Sequence, residues 1–428
     1  MHDMKNSDDS SRSINAWCMY DWAISGFQTT VVGAILPIFF RQIACHSLPE
    51  NHMATAMWGG ISAIAMAAVA ILSLIFGPVS DYGNVKKRFL GLFAGLGILF
   101  TSSIAMTGPG NWLWVALLFV LASISAAGSE IFYNALLPHI TLPNRMDQIS
   151  ARGYAMGYLG GGLLLAVNIL MVNMLPQTEI APGKAVPLTG MQLSFISVAI
   201  WWGLFSIPLF QHVSEPRGAT QGWPGRKAVS VSIRRLRHTF HDIRQYRSAF
   251  LLLLAFWFYS DGIGTVIKMA TAYGDEIGIG MNDLIGAFLL VQFIGIPCTL
   301  FFGRLSKKIG AKYSILIGLS IYACISIGGF FMQTAIHFWI LAGCVGLVQG
   351  GTQALSRSLY ARLIPKEKSA EFFGFFAISG KFAGIAGPAL FALTSHLFKN
   401  SRYGILCLLV FFLVGGGLLM RVPEHDDK

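Results

Sequence analysis

The sequence predicts an all-α membrane protein: twelve transmembrane helices in two six-helix, pseudo-symmetric halves. Composition is the first reason. Hydrophobic residues make up 54% of the 428-residue chain and charged residues 12%, with a mean hydropathy of +0.60. Soluble globules carry about a quarter charged residues. The second reason is a succession of apolar runs, most of them long enough to cross about 30 Å of hydrocarbon as a helix. The third is a repeat, since motifs of the first six runs recur in the last six.

The runs fall at about 15–40, 54–79, 89–107, 111–137, 151–175, 190–211, 248–274, 282–303, 313–332, 336–361, 371–397 and 401–422. A polar tail, residues 1–14, precedes them and is expected to be disordered up to Ser13. The N-terminal bundle spans 15–211, a linker 212–247, the C-terminal bundle 248–422 and a short tail 423–428. The first run places Asp21 in Tyr20-Asp21-Trp22-Ala23, roughly 9 Å beyond Asn15 at 1.5 Å per residue. A charge in hydrocarbon costs at least about 2.5 kcal/mol, so Asp21 is expected to face a protein interior or a wet cavity. An interfacial position beside a Trp/Tyr belt is the alternative.

Loop charge sets the orientation. With the N-terminus inside, the outer connections hold only Arg41, Lys184, Lys399 and Arg402. The inner ones hold Lys86, Lys87, Arg88, Arg145, Arg304, Lys307, Lys308, Lys312, Arg362, Lys366, Lys368 and the central linker. That asymmetry places both termini in the cytoplasm. In the linker, Val229, Ile233, Leu236, Phe240 and Ile243 recur at helical spacing among Arg234, Arg235, Arg237 and Arg244, which reads as a basic amphipathic helix on the inner leaflet. The net charge of +11 is thus an orientation signal and not a nucleic-acid footprint. The six cysteines have no metal or disulfide spacing and read as small hydrophobes.

The halves repeat each other. Gly77 to Lys87, after the second run, matches Gly303 to Lys312, after the eighth; both are short basic turns opened by glycine. Glu130-Ile131-Phe132-Tyr133-Asn134 and Arg357-Ser358-Leu359-Tyr360-Ala361 each carry an ionisable residue eight before a proline, Pro138 or Pro365. Tyr259-Ser260-Asp261 answers Tyr20-Asp21. Repeated helical halves around a central cavity are the architecture of secondary transporters.

The Gly77…Lys87 turn resembles the loop signature of the major facilitator superfamily, with Asp81 at its acidic position and Lys86 and Lys87 as its basic end. The second copy departs, with Lys307 where the acid stands. Tyr20-Asp21-Trp22-Ala23, Phe132 to Pro138, Arg152 to Gly162, Gln353 to Arg362 and Glu371 to Phe382 are together similar to the autophagy-related vacuolar effluxer family and its bacterial relatives. The resemblance covers nearly the whole chain. It implies a multi-pass permease with the major facilitator fold; fungal vacuolar members are associated with amino-acid efflux. The short loops look bacterial, which implies an inner-membrane location.

Six ionisable residues lie inside the runs: Asp21, Glu130 and Asp261 against Lys268, Arg357 and Lys381. Equal numbers fit the need to pair buried charge. By helix rise, Glu130 and Arg357 lie about 12 Å, and Lys381 about 13 Å, from their cytoplasmic ends. Two mechanisms fit such a layer. Ion pairs between the halves, Glu130 with Arg357 foremost, lock the inner side; or the layer holds a zwitterion, its carboxylate on Arg357 or Lys381 and its ammonium on Glu130 or Asp21. A permanent structural network is the third reading. Asp261 lies about 20 Å into the seventh run, and Gly262 and Gly264 are expected to let the helix unwind there. A desolvated Asp261 can carry a coupling proton, or Lys268 can hold it ionised. Tyr20, Trp22, Tyr133, Asn134, Arg152, Tyr154, Tyr158, Tyr259, Gln292, Gln349 and Gln353 are candidate cavity lining.

The ten His show no metal-ligand spacing, and the sequence carries no nucleophile motif and no phosphate-binding glycine loop. No catalytic residue, cofactor or metal is expected. The reading is a monomeric secondary transporter of a small polar solute, an amino acid or similar zwitterion, with protons and membrane lipids as its other partners. The alternatives are a proton-coupled importer of peptides or cell-wall fragments, and a non-transporting receptor on the same fold.

Overall fold

The computed structural model describes residues 2–46, 57–72, 85–215, 246–382, 384 and 386–423. Helix α1, His2–Gly26, continues as a π-helix over Phe27–Ile35, an α-turn over Leu36–Phe39 and a second π-helix over Phe40–Ala44. The tail expected to be disordered is therefore helical from His2, because extending an already nucleated helix costs far less than starting one. Next come α2 (Met57–Leu72), α3 (Lys86–Ile104), α4 (Trp112–Ile140), a 3₁₀ turn at Pro143–Arg145 and α5 (Met146–Met174). An antiparallel hairpin, β1 (Thr178–Ala181) and β2 (Lys184–Val186), turns at Gly183 with φ 74° before α6 (Leu188–His212).

The second series is α7 (Arg247–Glu276), α8 (Met281–Ile309), α9 (Ala311–Phe330) and α10 (Ala335–Leu363). After a 3₁₀ turn at Lys366–Lys368 follow α11 (Ser369–Phe382), α12 (Ala386–Phe398), α13 (Ser401–Leu406) and α14 (Leu409–Met420). Among the described residues, ten stretches are long and apolar enough to cross a membrane, the last being Ser401–Met420. The shorter α2 and the α11–α12 pair stand where the second and eleventh crossings are expected, giving twelve. The outward faces stay apolar, with Leu113, Ile200 and Leu413 all exposed, as lipid-covered helices require.

One expectation fails here. Helix α7 runs unbroken through Gly262 and Gly264. Gly262 serves packing instead: a Cβ there would lie 2.8 Å from the Phe412 ring on α14. In the eleventh crossing Gly384 is a turn, between α11 and α12.

The chain divides into two compact units. The first holds Met1–Ser73, Asn84–Tyr133 and Met156–Arg217; the second holds Leu74–Gly83, Asn134–Ala155 and Gly218–Lys428. Residues 134–155, the end of α4 and the start of α5, thus pack with the C-terminal helices. Each unit ties one helix start to one helix end through a lysine. In the first, Lys87 Nζ donates to the carbonyls of Phe210 (2.9 Å) and Val213 (2.5 Å) at the end of α6, while Glu215 Oε2 accepts the Lys87 N–H at 2.9 Å. In the second, Lys312 Nζ donates to Val422 O at 2.9 Å, just beyond α14. Gly77, Asp81 and the basic stretch 229–243 lie outside the described residues.

Candidate functional site

In the first unit the polar side chains gather where α1 meets α4 and α5. Glycines make this approach possible. A Cβ at Gly157 would lie 2.6 Å from Ser25 Oγ, and one at Gly160 2.7 Å from Trp22 O. Asp21 is half-buried, and its Oδ2 accepts the Tyr133 hydroxyl at 2.7 Å. Tyr133 is held on its other side: its ring stacks on Trp17 at 4.5 Å, and its carbonyl accepts Trp17 Nε1 at 3.0 Å. Tyr20 packs against the same ring at 5.0 Å and receives Trp202 Nε1 at 3.4 Å. About two turns above Asp21, Gln28 Nε2 donates to Glu130 Oε1 at 3.2 Å. Glu130 and Gln28 are both half-buried, whereas Trp17, Tyr20 and Tyr133 are buried. Rigid aromatics therefore fix Asp21, and Gln28 bonds Glu130, so that both partly accessible carboxylates are held.

The π-helical turn that begins at Phe27 belongs to this site. Thr29 Oγ1 donates to Gly161 O (3.1 Å) and to Ser25 O (3.0 Å), and Thr30 Oγ1 accepts Asn168 Nδ2 at 3.0 Å. Such side-chain bonds compete with the α-helical ladder, and π turns concentrate at functional sites. Tyr158 is buried on α5.

The second unit holds a different cluster. Arg357 on α10 is buried, with Nε donating to Ser150 Oγ (2.8 Å), Nη2 to Ser150 O (2.9 Å) and Nη1 to Asn134 Oδ1 (3.2 Å). Its guanidinium lies over the Tyr154 ring at 4.4 Å. One turn further along α10, Arg362 Nη1 pairs with Asp147 Oδ2 at 2.8 Å, and Ser358 Oγ donates to Asp147 Oδ1 at 2.5 Å. Ser150 Oγ also donates to Ala354 O at 2.7 Å, and His139 lies 3.2 Å from Ser369 Oγ. Residues 134–155 are thus fastened to α10 and α11 by charged and neutral bonds together.

Deeper in that unit, Asp261 is buried. The backbone N–H groups of Gly387 and Ala386, in the first turn of α12, are directed at its carboxylate, and Lys268 lies close enough for its charge to act on it. Thr265 Oγ1 donates to Asp261 O at 2.7 Å, and Tyr259 shares a 2.6 Å bond with Ser356.

Among the residues singled out from the sequence, Asp21 meets Tyr133, Asn134 meets Arg357, and Lys268 acts on Asp261. Gln353 is half-buried and Arg152 exposed. The side chain of Lys381, near the end of α11, lies outside the described part, and Lys87 acts as a helix tie. Sequence reasoning missed Trp17, Gln28, Asp147, Ser150, Ser358 and Arg362 as site residues. Asp147 and Arg362 sit at helix ends, where a charge draws no notice. Their signal was the pairing of an acid opening α5 with a base closing α10. Among the described residues, no three His, Cys, Asp or Glu side chains gather as a metal site.

Helices in two units, with fixed polar groups buried in both, define an integral membrane transporter of the major facilitator type. The solved structures bear this out at the level of fold. The human organic anion transporter MFSD10 superposes with TM-score 0.75 at 13% identity, over 96% of this chain and 99% of that one. The proton:xylose symporter XylE superposes with TM-score 0.72 at 11% identity, over 98% and 97%. The family described as "Vacuole effluxer Atg22 like" matches residues 51–428, and the chain belongs to it. The MFS-type transporter YxiO of Bacillus subtilis (strain 168), itself uncharacterised, is 38% identical over 96% of this chain and 95% of its own length. Autophagy-related protein 22 of Saccharomyces cerevisiae (strain ATCC 204508 / S288c) is 23% identical over 96% of this chain and 90% of its own.

Proposed function

We propose that this transporter moves a small solute carrying an amino group, an amino acid or similar zwitterion, by alternating access, with protons as the coupling ion. The observation that carries the reading is the pair of half-buried carboxylates in the first unit, Asp21 set by the Tyr133 hydroxyl and Glu130 set by Gln28. An ammonium group offers three N–H donors and a full charge, and carboxylates held in partial burial suit both. The description of the family as an effluxer supports export as the direction. The Lys/Arg bias of the loops supports cytoplasmic termini.

In this reading the cluster around residues 134–155 is the gate. Helices α4 and α5 both run on into the first unit, so a transport cycle exchanges the bonds made by Asp147, Ser150 and Asn134 to α10. The Arg362–Asp147 pair and the Arg357 bonds are the ones that break and re-form.

Thermal denaturation of the purified protein with graded ligands tests the substrate class, because a ligand that binds only the folded state raises the melting temperature by mass action. Amino acids are expected to stabilise the protein, and the matching des-amino acids are not. Asp21→Asn is expected to lose the difference. Equal stabilisation by des-amino acids would reject an amine-recognising site.

A further inference from the structure

The Asp261 niche joins features that no packing role requires. Asp261 is 1% exposed, and its Oδ2 has no hydrogen-bond partner among the described residues. Its Oδ1 lies 3.5 Å from Thr265 Oγ1, whose proton goes to the Asp261 carbonyl. Against this carboxylate stands the first turn of α12, a separate thirteen-residue helix, with the N–H groups of Ala386 and Gly387 directed at it. Only glycine permits the approach: a Cβ at 387 would lie 2.7 Å from Asp261 Oδ1 and overlap Thr265 Oγ1.

We infer that Asp261 is the proton-binding group that docks α12 on α7, and that its protonation frees α12 to move. The inference deepens the coupling role proposed above and rests on it for its purpose, not for its geometry. An ionised Asp261 is the natural counter-charge for a helix N-terminus, which behaves as roughly half a positive charge. When Oδ2 takes a proton, that attraction falls away and the first turn of α12 loses its anionic partner. A proton fits the niche better than a metal cation does, because one unpartnered carboxylate oxygen suffices for a proton, while no three His, Cys, Asp or Glu side chains gather as metal ligands among the described residues. Lys268 on α7 is the charged side chain acting on the carboxylate among the described residues. From α14 the neighbours are Phe411 and Phe412 against Gly262; α10 brings Ser356 onto Tyr259; α12 brings the backbone of Ala386 and Gly387. A discontinuous helix facing an ionisable group is a recurrent form of coupling site in transporters.

The test is a distance between spin labels at Leu393 on α12 and Ile327 on α9, both exposed positions, in the full chain in nanodiscs after replacement of the six native cysteines. Between about pH 8 and about pH 5, a second distance is expected to grow from a minor to the dominant population. Asp261→Asn, a permanently neutral isostere, is expected to show the second distance at every pH. Gly387→Ala, which displaces α12 sterically, is expected to show it too and serves if the first variant fails to fold. A distribution that ignores pH in the parent would overturn the inference. So would one that follows sodium concentration at fixed pH, or a pH response that Asp261→Asn or Gly387→Ala leaves intact. No substrate enters the measurement, so a wrong substrate class leaves its outcome unchanged.

Discussion

At the scale of the residue, the first unit shows how a membrane-buried acid is tolerated. Asp21 keeps one oxygen on Tyr133, and Tyr133 is immobilised by Trp17 from two directions. Tyr133→Phe keeps the stack and deletes the hydroxyl. A hydrogen bond to a charged acceptor contributes about 1.5–3 kcal/mol, so this variant is expected to fold with reduced stability and to bind an amine ligand several-fold more weakly. Unchanged affinity would remove Tyr133 from the site. In the second unit, Asp147→Ala strands Arg362 and the Ser358 hydroxyl. Because Arg362 is partly exposed, the cost is expected at about 1–3 kcal/mol, below that of a fully buried pair. Exchanging the two, Asp147→Arg with Arg362→Asp, is expected to recover part of the lost melting temperature. A double variant no more stable than the single ones would show that the pair contributes through other contacts. The sequence made Asp21, Glu130, Arg357 and Asp261 legible because charge inside an apolar run is costly. It hid Asp147 and Arg362, because charge at a helix end is ordinary until the fold sets the two ends side by side.

At the scale of the element, the lysine ties repeat between the units although their surroundings differ. Lys87 and Lys312 each stand at the start of one helix and bond the last carbonyls of another. Such groups have no intrahelical donor, and a cation there also favours the negative end of the helix. Lys87→Met and Lys312→Met are each expected to lower stability by about 1–2 kcal/mol, read as a fall in melting temperature without loss of helicity. No shift in either variant would make the ties incidental. Glu215 completes the first tie. Burial pushes its carboxyl up, against the opposing pull of the Lys87 and Lys86 N–H groups and charges. A carboxyl raised in the folded state favours folding fully below its unfolded pKa, and that contribution is lost as pH rises through the folded value. The melting temperature of Glu215→Gln, relative to the parent, is therefore expected to improve as pH rises past the ordinary carboxylate range. A difference that is flat or opposite in sign would contradict the assignment. Gly262 marks where the sequence misled, for glycine in a membrane helix signals close packing as often as a break. The turn lies instead at Gly384, between α11 and α12.

At the scale of the whole molecule, the fold was legible because the bilayer leaves the backbone few choices. Helices must satisfy their own hydrogen bonds and match the hydrocarbon thickness, so run lengths translate directly into crossings. The polar interruption at 212–247 reads from sequence as a division into six and six, which the repeats between the halves match. Contact-defined units are a finer matter, since residues 134–155 pack with the second unit while remaining continuous in chain with the first. That grouping comes from side-chain bonds at Asp147, Ser150 and Asn134, which no periodicity announces.

The central claim is that the acidic groups of the first unit select a solute with an amino group for transport. Counterflow in proteoliposomes loaded with a mixed amino-acid pool tests it most directly, with the parent and Asp21→Asn run beside dipeptide-loaded and des-amino-acid-loaded vesicles. The account predicts exchange of labelled amino acid against the amino-acid pool in the parent, no exchange against des-amino acids, and loss of exchange in Asp21→Asn at unchanged insertion. Exchange driven equally by des-amino acids, or an Asp21→Asn protein that exchanges like its parent, would contradict it.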